Sequence, residues 1–599
     1  MPNEPRLFTR RNALGLLACA TAFAPLPGLA QGSDGARLRA LLERSAAADA
    51  ALDPLNADRS GTKGAPLFLD PLSDAYEARL RADKQRDAID LATIDRTSLG
   101  PVDRIAYDVF AYKTQQMLDL LNFGLFAVQR MAPLNPSFGL QVEFPDFLAG
   151  AKYETVADYD DTLARFDGFT GYMNSAVVRL QQGLGAGYIQ PKIIVANVLA
   201  QVDAMLALPI EQSAFWAGIT RMPATIPAAE RTRLNAAFRE AIEGHVYPAY
   251  RGWGSYLRET YLPRALTAPG RGAMKDGARL YAWELQRHTT TKRSADDIHR
   301  LGLAEVSRIR GDMEKVRKQV GFSGDLKAFF EHVRTDPKYY YKNPEELLAR
   351  FKAIEAKIWP AIPRLFHDRP KAPFEVRPLP ALGDQRGTGY YRPGPPDGVS
   401  PGVLYFNMSM LNTRPIPTLE TLTLHEGIPG HHFQLTLALE NAGLPPLLRH
   451  GEITAYTEGW GLYAEALGPE LGMFGDPMQL FGHLDMEMLR AVRLVVDTGI
   501  HAKGWGRQQA IDYILANTSM APRDVAVEID RYIAYPGQAC AYKIGELKFR
   551  ELRETATKTL GHKFDVRDYH RQTLNTGALP MDVLDAKIRG WIAAGGGPA

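Results

Sequence analysis

The sequence predicts a mostly α-helical protein, a large multi-helical body with one small β-sheet beside its C-terminal part. Three observations carry this. Apolar residues recur at three- and four-residue steps over long segments. Alternating β-branched runs are confined to two short stretches. Pro and Gly clusters separate the periodic segments. With 599 residues, 45% of them hydrophobic and 23% charged, the chain can bury large cores and has an ordinary globular composition.

The N-terminus has the order of an export signal. Arg10-Arg11 precede the apolar run Ala13 to Ala24, and Gly28-Leu29-Ala30 forms a small-residue exit. The Thr9-Arg10-Arg11-Asn12-Ala13-Leu14 stretch is similar to a twin-arginine signal, so residues 1–30 are expected to be removed after Ala30. Leu16-Leu17-Ala18-Cys19 offers a competing reading, a lipid anchor at Cys19. No other stretch has 18 uninterrupted apolar residues, so no membrane span is expected.

Helical periodicity then covers Ala36–Leu55, Asp74–Asp95, Pro101–Leu121, Val156–Leu184, Pro191–Leu206 and Ala228–Thr260. Ser294, with Asp297 three residues on, should cap a helix running to Val320. Asp368–Pro401 is dense in Pro and Gly. It marks a boundary between an N-terminal helical region, 31–380, and a C-terminal region expected to bind metal and carry catalysis, 381–599, the two expected to form one unit. Strand signals fall on Phe374–Leu379 and Gly402–Met408.

Charge and cysteine content narrow the chemistry. Lys and Arg number 70 against 68 Asp and Glu, a net charge of +2, which argues against a nucleic-acid partner. Only Cys19 and Cys540 are present. Loss of the export segment leaves Cys540 alone, so any metal must be held by His and carboxylates.

The stretch His425-Glu-Gly-Ile-Pro429-Gly430-His431-His432-Phe-Gln434 supplies such groups. Two imidazoles can bind zinc while the neighbouring Glu426 accepts a proton from water. The strict pattern places the second His four residues after the first, and that position is Pro429 here. In a straight helix His432 would return to the face of His425 about 10 Å along the axis, too far to share an ion. Pro429 removes a backbone donor and Gly430 frees the backbone, so a break is expected that swings His431 back. His431 is therefore the expected ligand, with His432 the alternative.

A third ligand is Glu458, in Thr457-Glu458-Gly-Trp-Gly-Leu-Tyr463-Ala-Glu465. A glutamate from a neighbouring helix completes a His-His-Glu zinc set, and Glu465 can orient an imidazole from behind. Arg490, Arg493, Asp497 and His501 form a column at steps of three, four and four. That column could recognise a carboxylate or donate to a developing oxyanion, or could serve as an ion-pair ladder between helices. Gln538 and Tyr542 share a face of the helix after Pro536, and a phenol there could stabilise an oxyanion. Tyr405 and Asn407 lie on the strand Gly402–Met408, whose edge could receive an extended peptide.

Together His425 to Gln434, Glu458 to Glu465, Arg490 to His501 and Tyr535 to Gly545 resemble the DUF885 family, bacterial and often exported proteins of largely unassigned function. The likeness extends to His288-Thr-Thr-Thr, Tyr390-Tyr391 and Tyr405-Phe-Asn407. It implies an all-helical body similar to the thimet-oligopeptidase and carboxypeptidase Taq class of gluzincins, with their catalytic helix pair. The expectation is an exported zinc metallopeptidase acting on short peptides or related amides. One zinc would sit on His425, His431 and Glu458, with Glu426 as base and Tyr542 and His501 polarising the carbonyl. The alternative is a non-catalytic exported protein that binds metal or an anion.

Overall fold

The computed structural model describes residues 33–59, 67–379 and 389–597. The expected export segment 1–30, with Cys19 and the cleavage point, lies outside them. The structure is 72% helical with one small sheet. Most periodic segments fold where expected, at Asp74–Ala92, Pro101–Asn122, Val156–Ala186 and Lys192–Leu206. The Ala228–Thr260 segment is less regular. Its helices Ala228–Ala241 and Tyr247–Tyr256 are each followed by a wide π-turn, Ile242–Val246 and Leu257–Tyr261. Pro248 and Pro263 stand just beyond those turns. A proline ring clashes with the carbonyl four residues back, and a wider turn relieves the clash.

Seven helices build or back the site: α1 (Ala295–Gln319), α2 (Leu419–Glu426), α3 (His431–Glu440), α4 (Thr454–Ala466), α5 (Pro477–Lys503), α6 (Pro522–Ala534) and α7 (Gln538–Leu560). The Ser294–Asp297 capping box forms and starts α1 as expected. Helix α1 packs along α5, and α4 along α7. The second pair meets at glycines. A Cβ on Gly545 would lie 1.8 Å from the Ala455 carbonyl oxygen, and one on Gly459 2.5 Å from the Gly545 Cα. Any side chain at either position would force the two backbones apart.

The sheet consists of β1 (Phe374–Pro378), β2 (Gly389–Arg392) and β3 (Gly402–Phe406), in the order β1-β3-β2. Strand β3 pairs parallel with β1 and antiparallel with β2, with Leu404 opposite both Val376 and Tyr391. The strand expected to offer an edge to a peptide is thus the central one, and both its edges are occupied.

Two large cores hold the body. One joins the helices between Val156 and Thr335 to α5 and α6. The other joins the first helices and the 344–366 segment to the sheet, α2, α4, α7 and the C-terminal helices. Each core takes residues from both sides of position 380, and the Pro- and Gly-rich stretch there contributes the sheet. Cys540 is buried and free. No helix of the described residues is long and apolar enough to cross a membrane.

Candidate metal centre

Helix α2 stops at Glu426 and α3 starts at His431. Gly430 makes the break possible. A Cβ there would lie 1.9 Å from the His425 carbonyl oxygen and 2.3 Å from that of Leu424. Trp460 of α4 fastens the linker, its indole N–H donating to the Pro429 carbonyl at 2.9 Å. The break brings His431 back over α2, with its Nε2 3.5 Å from Glu458 Oε2. His425 Nε2 lies 3.6 Å from the same oxygen. His432 points the other way. Its Nδ1 lies 2.9 Å from the Tyr391 hydroxyl and its ring packs on Phe374, so it is no part of this cluster.

Helix α4 supplies the opposing face. Glu458, Gly461 and Glu465 recur at i, i+3 and i+7, one column on one face. The His425 ring fills the gap at Gly461, where a Cβ would lie 2.6 Å from its Cε1. Its Nδ1 lies 2.7 Å from Glu465 Oε1, leaving Nε2 for Glu458 and an ion. Glu465 is backed in turn by Arg490 of α5, whose Nη2 stands 3.5 Å away. Neither Gly461 nor Trp460 stood out in the sequence as functional. The Gly461 signal was there, a residue without a side chain between two carboxylates on one helical face.

His425, His431 and Glu458 each offer a ligand atom, all within 4.8 Å of one another. Donors held about 2.0–2.2 Å from a tetrahedral zinc stand about 3.3–3.5 Å apart. The two separations to Glu458 are close to that. The donor set, two imidazoles and one carboxylate with Glu465 behind His425, also fits zinc. Burial opposes a charged His425, but hydrogen bonds to Glu458 and Glu465 overcome it and push the ring up to about 9. Burial likewise disfavours charge on Glu458, yet the two imidazoles hold it well below the usual carboxylate range. Glu458 therefore keeps its negative charge between the two imidazoles. A second group, His367, Asp565 and Asp568, runs from an exposed histidine to a buried aspartate, and there Asp565 is engaged by Arg567.

The remaining candidates separate into two sets. Glu426 acts on the charge of His425 from the next position in the chain. Tyr542 is pushed up to about 12 by burial and by nearby Glu458, so its phenol keeps its proton. Arg493 lies over the Tyr542 ring at 4.5 Å and donates to the Tyr532 hydroxyl and to Glu528. Gln538 accepts from Arg531 at 2.7 Å.

The far end of the Arg490–His501 column leaves the site. Asp497 accepts from the Tyr281 hydroxyl and from Gly537 N–H. His501 accepts from Arg271 N–H at Nδ1 and donates from Nε2 to the Tyr532 carbonyl. With both ring nitrogens spent on backbone groups and burial driving its pKa to about 3, His501 has no donor for a substrate, contrary to expectation. A helix rotates only slowly along such a column, but α5 is 27 residues long and different neighbours cover its two ends. Tyr405 packs on Tyr390 across the strand pair, and Asn407 accepts from Ser409 in the turn after β3. These contacts belong to the sheet and its turn.

Fold and cluster together define a mostly helical protein with a small mixed sheet and a buried His-His-Glu centre between three helices. The chain belongs to DUF885, a bacterial family of unknown function, which it matches over residues 54–588. A solved protein from Colwellia psychrerythraea, provisionally described as a lipoprotein, is 28% identical with a TM-score of 0.84, covering 94% of this chain and 100% of its own. Another from Shewanella oneidensis, provisionally a lipoprotein of unknown function, shares the fold at 17% identity and a TM-score of 0.72, covering 93% of this chain and 99% of its own. No match was found among curated proteins.

Proposed function

We propose that the chain is an exported zinc-dependent hydrolase with a gluzincin-type helix pair, similar to thimet oligopeptidase and carboxypeptidase Taq, that cleaves short peptides or related amides. One observation carries the reading: His425, His431 and Glu458, from three separate helices, converge their ligand atoms within 4.8 Å, and Glu426 follows His425 directly in the chain. Bound zinc would supply Lewis acidity, easing the deprotonation of water at the site. Glu426 accepts that proton and returns it to the leaving amine. Glu465 holds the His425 ring in the tautomer that presents Nε2. The protonated Tyr542 donates to the carbonyl oxygen as charge builds there.

Metal analysis and a peptide library test this. Purified full-length chain should hold about one zinc, and cleavage should stop on chelation and return with zinc. Glu426→Gln should keep the zinc and lose turnover by roughly 10²–10⁴-fold. Protein that takes up no zinc overturns the centre. Zinc uptake without turnover of any amide returns the protein to the metal-binding alternative.

Export rests on the twin-arginine-like segment and on the likeness to the Colwellia protein. That likeness favours lipid attachment at Cys19 over cleavage after Ala30. Labelled palmitate should enter the wild-type chain and not Cys19→Ser. Equal labelling of both would remove the anchor.

A further inference from the structure

A cavity of about 130 Å³ is lined in part by residues of α2, which carries His425, and of α5, which carries Arg490. Its walls come from Tyr340 and Tyr341, from the end of β3 and the segment after it, from α2 and α5, and from the loop before α6 and its first turn. Phe406, Leu422, Leu489 and Met520 make much of the lining apolar. Its volume is close to the roughly 150 Å³ at which an apolar cavity accommodates benzene.

Three polar groups on this wall are out of keeping with the rest. Arg414 and Arg490 are each 6% exposed and Tyr341 is 7% exposed. Each nonetheless has a buried polar atom without a hydrogen-bond partner: Arg414 Nε, Arg490 Nε and the Tyr341 hydroxyl. Buried polar groups are nearly always paired, so three orphans on one small cavity call for an explanation. All three can donate, and what they lack is an acceptor. The acidic neighbours do not provide it. Asp524 lies 3.2 Å from Arg414 Nη1, Glu465 is shared with His425, and Asp485 is bound by the Ser519 amide and hydroxyl. A carboxylate accepts only, at two oxygens, and matches guanidinium and phenol donors.

Two residues tie the cavity to the metal centre. Leu422 precedes Glu426 by four positions on α2, about 6 Å along the axis. Arg490 meets Glu465 with its guanidinium tip while its side chain lines the cavity. We propose that this cavity is the subsite for the C-terminal residue of the substrate, taking a large apolar side chain whose free carboxylate is met by Arg414, Arg490 and Tyr341. Its role as a substrate site rests on the hydrolase reading above. The chain would then release C-terminal aromatic or large aliphatic residues, or short peptides ending in them.

Calorimetric titration of the zinc-depleted full chain separates the parts of this proposal, because no ligand can then bind through the metal. N-acetyl-L-phenylalanine should bind at least tenfold more tightly than its carboxamide and than N-acetylglycine. Equal affinity for the carboxamide overturns the carboxylate contact, and equal affinity for N-acetylglycine overturns the apolar pocket. Arg414→Met should weaken N-acetyl-L-phenylalanine tenfold or more and leave the carboxamide unchanged. Met520→Trp should fill the cavity and abolish binding, and unchanged binding by that variant would put the ligand elsewhere. Should either variant fail to fold, the wild-type ligand series still decides. Binding as expected, with no peptide cleaved by the zinc-loaded protein, overturns the hydrolase reading and leaves the carboxylate site standing. Cleavage without this selectivity does the reverse.

Discussion

Replacing Gly461 by alanine tests whether the His425 ring is held where an ion needs it. A Cβ at Gly461 would lie 2.6 Å from Cε1, 2.9 Å from Nδ1 and 3.0 Å from Nε2 of that ring. Ordinary carbon contacts are about 3.5–4.0 Å, so the ring must retreat by roughly 1 Å. It is poorly placed to do so. Its Nδ1 is tied to Glu465 at 2.7 Å, and Arg490 holds Glu465 from behind. Metal–ligand distances tolerate only about 0.2 Å. Loss of an orienting partner alone typically costs 10–100-fold in metal affinity, and displacing a ligand should cost at least about 100-fold. The assay is zinc competition against a chromophoric chelator, with metal content measured on the same samples. Gly311→Ala on α1 is the control, since a Cβ there meets nothing within 4 Å. It should leave zinc binding unchanged and add up to about 1 kcal/mol of stability. If Gly461→Ala bound zinc with wild-type affinity, the ring would not be a ligand in this geometry and the reasoning would fail.

Two further outcomes follow from the neighbouring charges. Glu465→Gln should weaken zinc by about 10–100-fold in the same competition assay, and should lower the melting temperature because buried Arg490 loses its carboxylate. Unchanged affinity would mean that Glu465 does not orient His425. Asp497 is pushed up to about 7 by burial, which outweighs the hydrogen bonds from Tyr281 and Gly537. A carboxyl whose folded pKa lies above its unfolded value loses stability as pH rises, here between about 4 and 7, by roughly 4 kcal/mol in all. The melting temperature of Asp497→Asn relative to wild type should therefore rise from pH 4.5 to pH 8. A difference that stays flat with pH would show Asp497 ionised throughout.

The helical body was legible because burying one face of a helix writes a 3.6-residue period into the chain, and that period survives in segments such as Val156–Ala186. The π-turns before Pro248 and Pro263 were not, since an apolar stripe continues through a local widening. The sheet was half legible. The apolar run of β3 marked a strand, but which strands flank it depends on chain returning from β1 and β2, which no short-range pattern encodes. The same limit applies to α5, where one even column of polar residues serves two different neighbourhoods.

Sequence by itself determined the types of group available and their local spacing. It offered one cysteine outside the export segment, a His-Glu pair ahead of a Pro-Gly break, and two glutamates seven apart with Gly461 on the face between them. Only the tertiary structure decided which of these meet. Backbone geometry at Gly430 turns His431 toward Glu458 and His432 toward Tyr391, although the two are adjacent in the chain. Convergence of this kind depends on packing between elements far apart in sequence, such as Trp460 on Pro429 and Arg490 on Glu465. A side chain's chemistry is local, but its partners are set by how the whole core closes around it.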